Sequence, residues 1–357
     1  MPVFQLKVQP QWYSAIVERG VLERILQFVP ARAGKIFVVS TQDVWQLHGE
    51  RVRAGLGGLV YDVIFLPGGE ERKRLTHVEA AAEEMVKRGG DRSSVVVAFG
   101  GGIVGDMAGF LAAIFMRGIP VVQVPTTLLA QVDAGIGGKT GVNLVSGKNL
   151  IGSFHQPLAV LVDPGVLDTL PEREYRAGLY EIIKAGIIRS QPLFQFLTER
   201  YRDVLARDPD AVDHIIAESV RIKAEVVTAD ERERDLRRIL NLGHTFGHAL
   251  EAETAYSRLL HGEAVAFGIR AAVYLAQMTG HLSAEDSVDI LETLRLYGPI
   301  PPLDGIAPER LLGRLASDKK TVRGKVHFIL PERVGHAKVV SGIDDRPVLE
   351  AIRSALA

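Results

Sequence analysis

The sequence predicts an α/β domain organised around a parallel sheet, followed by a mostly α-helical domain. Three observations lead there. Short apolar, β-branched runs alternate with helix-period segments through the first half of the chain, the pattern of a parallel sheet joined by helical crossovers. One of these runs passes directly into a glycine-rich turn and then a helix, and from about Pro171 long helix-period segments take over. A chain of 357 residues also exceeds one ordinary core, so two domains are expected.

Lys35–Ser40 (KIFVVS), Tyr61–Leu66 (YDVIFL) and Ser93–Phe99 (SSVVVAF) are the first predicted strands. Each is a short apolar run, and Ser93–Phe99, bounded by turn-formers, reads as a buried parallel strand. A helical stretch, HVEAAAEEMVKRG, separates the last two, and Val121–Pro125 and Ala159–Val162 complete the predicted sheet. The boundary falls near Asp168–Glu172, where TLPERE follows the last strand, giving domains of residues 1–170 and 171–357. Beyond it Ala211–Ala229 and Glu263–Met278 carry helical periodicity, and Lys325–Leu330 is the next extended run.

Composition excludes several classes of function. Formal net charge is −1 and no arginine-rich or aromatic-interleaved patch occurs, so no nucleic-acid face is expected. The absence of cysteine removes disulfides, thiolate nucleophiles and cysteine metal ligands together. The opening MPVFQLKVQPQWYSAIVERG lacks the features of a signal peptide, and no uncharged window reaches membrane-spanning length. A cytoplasmic enzyme fits these features.

The run after Ser93–Phe99 reads GGGIVGDMAGFLAAIF, in which Gly100, Gly102 and Gly105 fit G-x-G-x-x-G and a helix is read from Met107 onward. Strand, glycine turn and helix N-terminus together present backbone N–H groups and a positive dipole end to a pyrophosphate. The N-terminal domain is therefore read as a Rossmann-like dinucleotide-binding domain. No acidic residue lies about twenty positions beyond the last glycine, where a ribose-binding carboxylate normally sits. Asp106, directly after the loop, is the alternative.

The second signal is ILNLGHTFGHALEAETAYSRLLHGEAVAFG. It sets His244 and His248 one helical turn apart, with His261 further on in an HGE triplet. Residues at i and i+4 share a helix face, and a third imidazole points to a divalent cation. A lone HxxxH would suit an ordinary pair of helix histidines equally well. The third histidine, and glycines at 243, 247 and 262 that allow backbones to approach closely, favour the metal.

Charged groups between these signals have two readings each. Val124–Asn149 holds adjacent threonines, Asp133, a glycine-rich turn with Lys139 and Thr140, and Lys148 with Asn149. Glycine-rich backbone with lysine suits a phosphate or carboxylate, and a solvated loop is the plainer alternative. Glu181 and Lys184 stand three apart in an apolar helix, either as a surface ion pair or as buried charges with a task. Lys223 and Arg237 bracket a charged run, most of which reads as solvated helix and loop.

Taken together these motifs resemble the 3-dehydroquinate synthases. The matching segments are PGGEERK at 67–73, GGGIVGDMAGF at 100–110, FMRGIP at 115–120, VPTTLLAQVD at 124–133, and GGKTGVN with GKNLIGSFHQP at 137–157. LPEREYRAGLYEIIKAGII, KAEVVTADERE, NLGHTFGHALE, LLHGEAVAFG and DKKTVRGKVHFILP follow in family order. Ala134 and Gly135 depart from the serines frequent in the family at that point.

The resemblance implies a lyase of the shikimate pathway that converts 3-deoxy-D-arabino-heptulosonate 7-phosphate to 3-dehydroquinate and phosphate. It implies zinc or cobalt held by Glu181, His244 and His261, with His248 turned from ligand to proton-transfer group. NAD is expected against Gly101, Gly102, Ile103, Gly105 and Asp106, with Glu70, Lys73, Thr126, Thr127, Lys139, Lys148 and Thr169 as further contacts. Substrate contacts implied are Asp133, Lys139, Asn149, Lys184, Lys223, Arg237, Asn241 and one of Lys319 and Lys320, while Arg117 would reach the neighbouring active site of a homodimer. A metal-dependent alcohol or glycerol dehydrogenase of similar fold, and a sibling sugar-phosphate cyclase, are the competing readings. The first would leave the cations idle.

Overall fold

The computed structural model describes residues 3–8, 11–317 and 326–357. Lys319 and Lys320, and the Lys325 end of the last expected strand, lie outside the described residues. The chain divides into two compact units, residues 1–171 with 223–231, and residues 172–222 with 232–357.

The first unit runs β1 (Val3–Val8), β2 (Gln11–Val17), β3 (Ile36–Ser40), α1 (Gln42–Gly55), β4 (Tyr61–Phe65), α2 (Leu75–Lys87), β5 (Val95–Gly100), α3 (Gly102–Ile114), β6 (Val121–Pro125), β7 (Lys139–Leu144), β8 (Gly147–Phe154) and β9 (Ala159–Val162). Seven strands form one sheet in the order β1-β2-β9-β6-β5-β3-β4. Every pairing is parallel except β1 with β2. Strands β3, β5, β6 and β9 are buried throughout, which is why they read as unbroken apolar runs rather than alternating ones. Phe37, Val39, Val96 and Ala98 of the sheet pack with Met107, Ala108 and Leu111 of α3. From β3 the chain goes to one side to make β4 and then to the other to make β5, β6 and β9. In such sheets a ligand binds outside the carboxyl ends of the strands at that reversal, here the end of β5 at Gly100.

Two features differ from the sequence reading. Helix α3 begins at Gly102, a turn and more before Met107, because Gly101 adopts an extended conformation as its N-cap and the glycines that follow are themselves helical. The glycine-rich segment after Asp133 forms an antiparallel hairpin, β7 with β8, rather than a loop. There Gly141 pairs with Gly152, and a Cβ on Gly152 would lie 2.0 Å from the Thr140 carbonyl oxygen. The glycines that suggested a loop are what let the two strands pack tightly.

The second unit is mostly helical: α4 (Glu172–Arg189), α5 (Gln191–Glu199), α6 (Tyr201–Leu205), α7 (Pro209–Ala229), α8 (His244–Glu253), α9 (His261–Met278), α10 (Ala284–Tyr297), α11 (Pro308–Ser317), the hairpin β10 (His327–Arg333) and β11 (His336–Ser341), and α12 (Asp345–Leu356). The last residues of α7, from Lys223, are grouped with the first unit, where Lys223 pairs with Asp133. Helix α4 is buried from Ala177 to Ile188, with Glu181 and Lys184 inside that stretch. Helices α8 and α9 cross with backbones in near contact. A Cβ on Gly268 would stand 1.8 Å from the Gly243 carbonyl oxygen, and one on Gly247 would stand 2.8 Å from that of Ala264. Among the described residues no helix is long and apolar enough to cross a membrane.

Candidate active site

In the second unit three imidazoles and two carboxylates converge. His244 opens α8 directly after Gly243, whose φ of 81° only glycine adopts freely. His248 follows one turn later, and His261 is the first residue of α9. Ring centroids of His244 lie 5.4 Å from His248 and 5.1 Å from His261. The Nε2 atoms of His244 and His261 each stand 3.7 Å from Glu181 Oε1. That is too long for a hydrogen bond. Two ligands each about 2.1 Å from a tetrahedral ion are themselves roughly 3.4 Å apart, so the spacing suits donors that share a cation.

The surroundings support that arrangement. The Glu181 side chain is 2% exposed, and Oε1 accepts no hydrogen bond from any described residue. Lys184, one turn on and 3% exposed, ion-pairs with Oε2. A buried carboxylate oxygen without a donor is costly, and a cation between it and two imidazoles removes that cost. The other imidazole nitrogens are also engaged. His244 Nδ1 is 3.2 Å from the Leu242 carbonyl oxygen, and His261 Nδ1 is 3.5 Å from Glu251 Oε1. In metal sites such outer contacts on one ring nitrogen orient the other toward the ion.

Glu251 was missed in the sequence reading. It is buried and also stands 4.0 Å from His248 Nε2 through Oε2. Its signal was its place three residues after His248, at the end of NLGHTFGHALE. Glu251, His248 and His261 could themselves hold an ion. The Glu181 group engages the Nε2 atoms of both histidines and leaves His261 Nδ1 for Glu251, so it is the better ligand set. His248 is then left half-exposed beside it. Arg237 is buried in the short helical segment Leu236–Asn241, and Asn241 Nδ2 donates to Glu233 Oε1.

In the first unit, β5 delivers Gly100 to the turn and α3 rises from Gly102. Space beside two of the loop glycines is tight. A Cβ on Gly101 would meet Thr127 Cγ2 at 3.0 Å, and one on Gly105 would meet Gln123 Oε1 at 3.0 Å, where helix packs on strand. Ile103, half-buried, lies in this first helical turn. Behind the loop Lys73 is buried against Asp106 and also donates to Asn149 Oδ1 at 2.6 Å. Burial pushes the Asp106 carboxyl above its ordinary value, and the Lys73 ammonium works against that rise.

Glu70 accepts from Asn143 Nδ2 at 2.7 Å and lies 3.9 Å from Lys148 Nζ. Thr127 Oγ1 accepts from Ala130 N at 3.2 Å. Buried Thr126 has a hydroxyl without a hydrogen-bond partner among the described residues. Thr169 Oγ1 lies 2.9 Å from His48 Nε2. Burial lowers the pKa of His48, a second residue absent from the sequence reading because nothing around it in the chain marks it. Asp133 pairs with Lys223, and Lys139 is exposed at the start of β7. A helix N-terminus with crowded glycines, a buried lysine–aspartate pair and an orphaned threonine hydroxyl fit a dinucleotide.

Arg117 follows α3 in the first unit. It is exposed, and Met116 and Arg117 have φ of 51° and 71°, a costly pair of left-handed residues without glycine.

Residues 63–177 match the family described as 3-dehydroquinate synthase N-terminal, and residues 178–321 match 3-dehydroquinate synthase C-terminal. Over 357 residues the chain is 68% identical to the 3-dehydroquinate synthase of Solibacter usitatus (strain Ellin6076), covering 100% of both chains. Among solved structures, ValA (2-epi-5-epi-valiolone synthase) from Streptomyces hygroscopicus subsp. jinggangensis 5008, with NAD+ and Zn2+ bound, is 30% identical with a TM-score of 0.87 over 98% of each chain. A 2-deoxy-scyllo-inosose synthase complexed with carbaglucose-6-phosphate, NAD+ and Co2+ is 27% identical with a TM-score of 0.88, over 98% of this chain and 99% of that one.

Proposed function

The chain belongs to the 3-dehydroquinate synthase family, and from that premise we propose which residues perform its reaction. The reaction converts 3-deoxy-D-arabino-heptulosonate 7-phosphate to 3-dehydroquinate and phosphate. Its steps are oxidation of a ring alcohol, loss of phosphate, re-reduction, ring opening and an intramolecular aldol closure. The observation that carries the assignment is Glu181 Oε1, buried, without a hydrogen bond from any described residue, and equidistant from two imidazole nitrogens. When bound, the divalent ion (zinc or cobalt) acidifies a coordinated hydroxyl and NAD accepts and later returns a hydride at the same carbon.

Everything else falls to the chain. Glu181, His244 and His261 hold the ion. Gly101, Gly102, Ile103 and Gly105 leave room for the cofactor backbone, while Asp106, Glu70, Lys73, Thr126, Thr127 and Thr169 contact it. Lys148 and Lys139 serve cofactor and substrate together. Lys184, Lys223 and Arg237 bind the anionic groups of the substrate, where charge-assisted bonds are strongest, and Asp133, Asn149 and Asn241 orient its hydroxyls. His248 moves protons between substrate and solvent, for which its half-exposed imidazole beside Glu251 is suited. Domain 1–170 would hold NAD and domain 171–357 the metal.

The same reading places the enzyme in the cytoplasm, in the shikimate pathway that leads through chorismate to the aromatic amino acids. Phosphate release with catalytic NAD tests the function. Release should exceed the NAD supplied many-fold, stop on chelation and return with zinc or cobalt. Stoichiometric NADH from a simple alcohol, with no phosphate released, would instead make it a dehydrogenase.

The active unit in this proposal is a homodimer in which Arg117 reaches the neighbouring site. Exposed Ile114 and Met116 beside it, and exposed Leu144, Val145, Leu150 and Phe154 on the β7–β8 hairpin, are the apolar surface that would be covered. Mixing Arg117→Ala with Glu181→Ala subunits, each inactive alone, should restore about a quarter of wild-type activity if the arginine acts across a twofold interface. No restoration in mixed dimers would put Arg117 in its own subunit's site.

A further inference from the structure

A cavity of about 550 Å³ lies in the helical unit among α4, α9, α10 and the segment that follows α10. That volume is in the range of small-ligand sites. Neither Glu181 nor His261 lines it, although Tyr180 of α4 and Arg270 of α9 do. Its polar groups are Tyr180, Arg270, Tyr274, Glu292 and Arg295, set in an apolar wall that includes Leu294.

Its floor is buried at Tyr180 and Leu294, while Glu292 and Arg295 stand at its open side. Tyr180 is 2% exposed, and its ring lines the cavity. Its hydroxyl oxygen lies 3.7 Å from where a Cβ on Gly298, another lining residue, would stand. Neither Arg270 nor Arg295 forms an ion pair with a described residue, although Arg270 is half-buried and other arginines of this unit are paired. Two guanidiniums against the single carboxylate of Glu292 leave the lining with an excess positive charge.

We propose that this cavity binds a small organic carboxylate whose apolar or aromatic body rests on the tyrosine rings and the apolar wall. Arg270 and Arg295 meet the anionic group, and the Tyr180 hydroxyl completes its hydrogen bonding. Arginine is suited to planar carboxylates through paired N–H donors, and the apolar lining selects against a bare inorganic anion.

Calorimetric titration of the NAD- and zinc-loaded enzyme with 3-phenylpropanoate tests this. Saturable binding is expected, with Arg270→Ala weakening it roughly tenfold or more. Arg295→Ala, at an exposed position where folding is not at stake, should weaken it about as much. Both variants should retain phosphate release in the absence of the probe, since neither residue belongs to the catalytic set. Tyr180→Phe should weaken binding by a smaller factor. Unchanged affinity in both arginine variants, or no saturation of the wild-type enzyme, would overturn the proposal. Displacement of the probe by inorganic phosphate at comparable concentration would also overturn it, by reducing the site to a simple anion contact.

Discussion

Glu181→Gln should empty the metal site and lower phosphate release by at least about three decades, some 4 kcal/mol of transition-state stabilisation. The substitution keeps the shape of the side chain and replaces an anionic ligand with a weakly donating amide. It has a second effect that must be separated from the first. Lys184 is buried against the same carboxylate, and removing an anion from beside a buried ammonium costs up to roughly 3–5 kcal/mol of stability. A loss of activity alone would therefore not distinguish a missing ligand from a disturbed helix. The double variant Glu181→Gln/Lys184→Met removes both charges and should regain most of the thermal stability. Its turnover should stay at the floor and its metal content should stay low. Lys184→Met by itself leaves the three ligands intact, so metal should remain bound while turnover falls. Metal analysis alongside unfolding curves reads both effects. A Glu181→Gln enzyme that keeps stoichiometric zinc and near-normal turnover would sink the ligand assignment.

How much of this was legible in the chain depends on the range of the interaction concerned. Buried parallel strands declare themselves locally, because both faces demand apolar side chains. Ile36–Ser40, Val95–Gly100 and Val121–Pro125 accordingly lie within two residues of where the pattern put them. The turn of the glycine loop was equally local, although the start of α3 was displaced by reading its helical glycines as loop. Hairpin β7–β8 was invisible, since its stability rests on Gly141 facing Gly152 across two strands, and glycine in a single sequence signals a turn more readily than a tight pair. The metal set shows the same limit. Spacing brought His244 and His248 together because one helix carries both. Glu181 came from another helix altogether, and only the family resemblance supplied it. Glu251 and His48 were missed for the same reason, as each acquires its role from a partner that folding brings to it.

Close helix packing leads to the other large effect. Gly268→Ala should lower the melting temperature by about 10 °C, the equivalent of roughly 3 kcal/mol or more. The added methyl would stand 1.8 Å from the Gly243 carbonyl oxygen and 2.9 Å from Gly247 N, both backbone atoms. No rotamer change relieves a clash with backbone, so α8 and α9 must separate. His244 rides on the first of those helices and His261 on the second. Their distances to Glu181 are therefore set by the same contact. The substitution should weaken zinc binding, measured well below the melting temperature, although all three ligands are present. Gly313→Ala is the control. It sits in α11 with nothing within 4 Å of the added Cβ, so the change should be neutral or stabilise by up to about 1 kcal/mol through reduced freedom of the unfolded chain. If Gly268→Ala melted and bound zinc like the wild-type enzyme, the helices would have room to spare, and the histidine spacing would need another cause. If it melted early but bound zinc normally, the packing would serve stability alone. Joint loss of both is the expected result, because the backbone contacts that hold the helices together also space the ligands they carry.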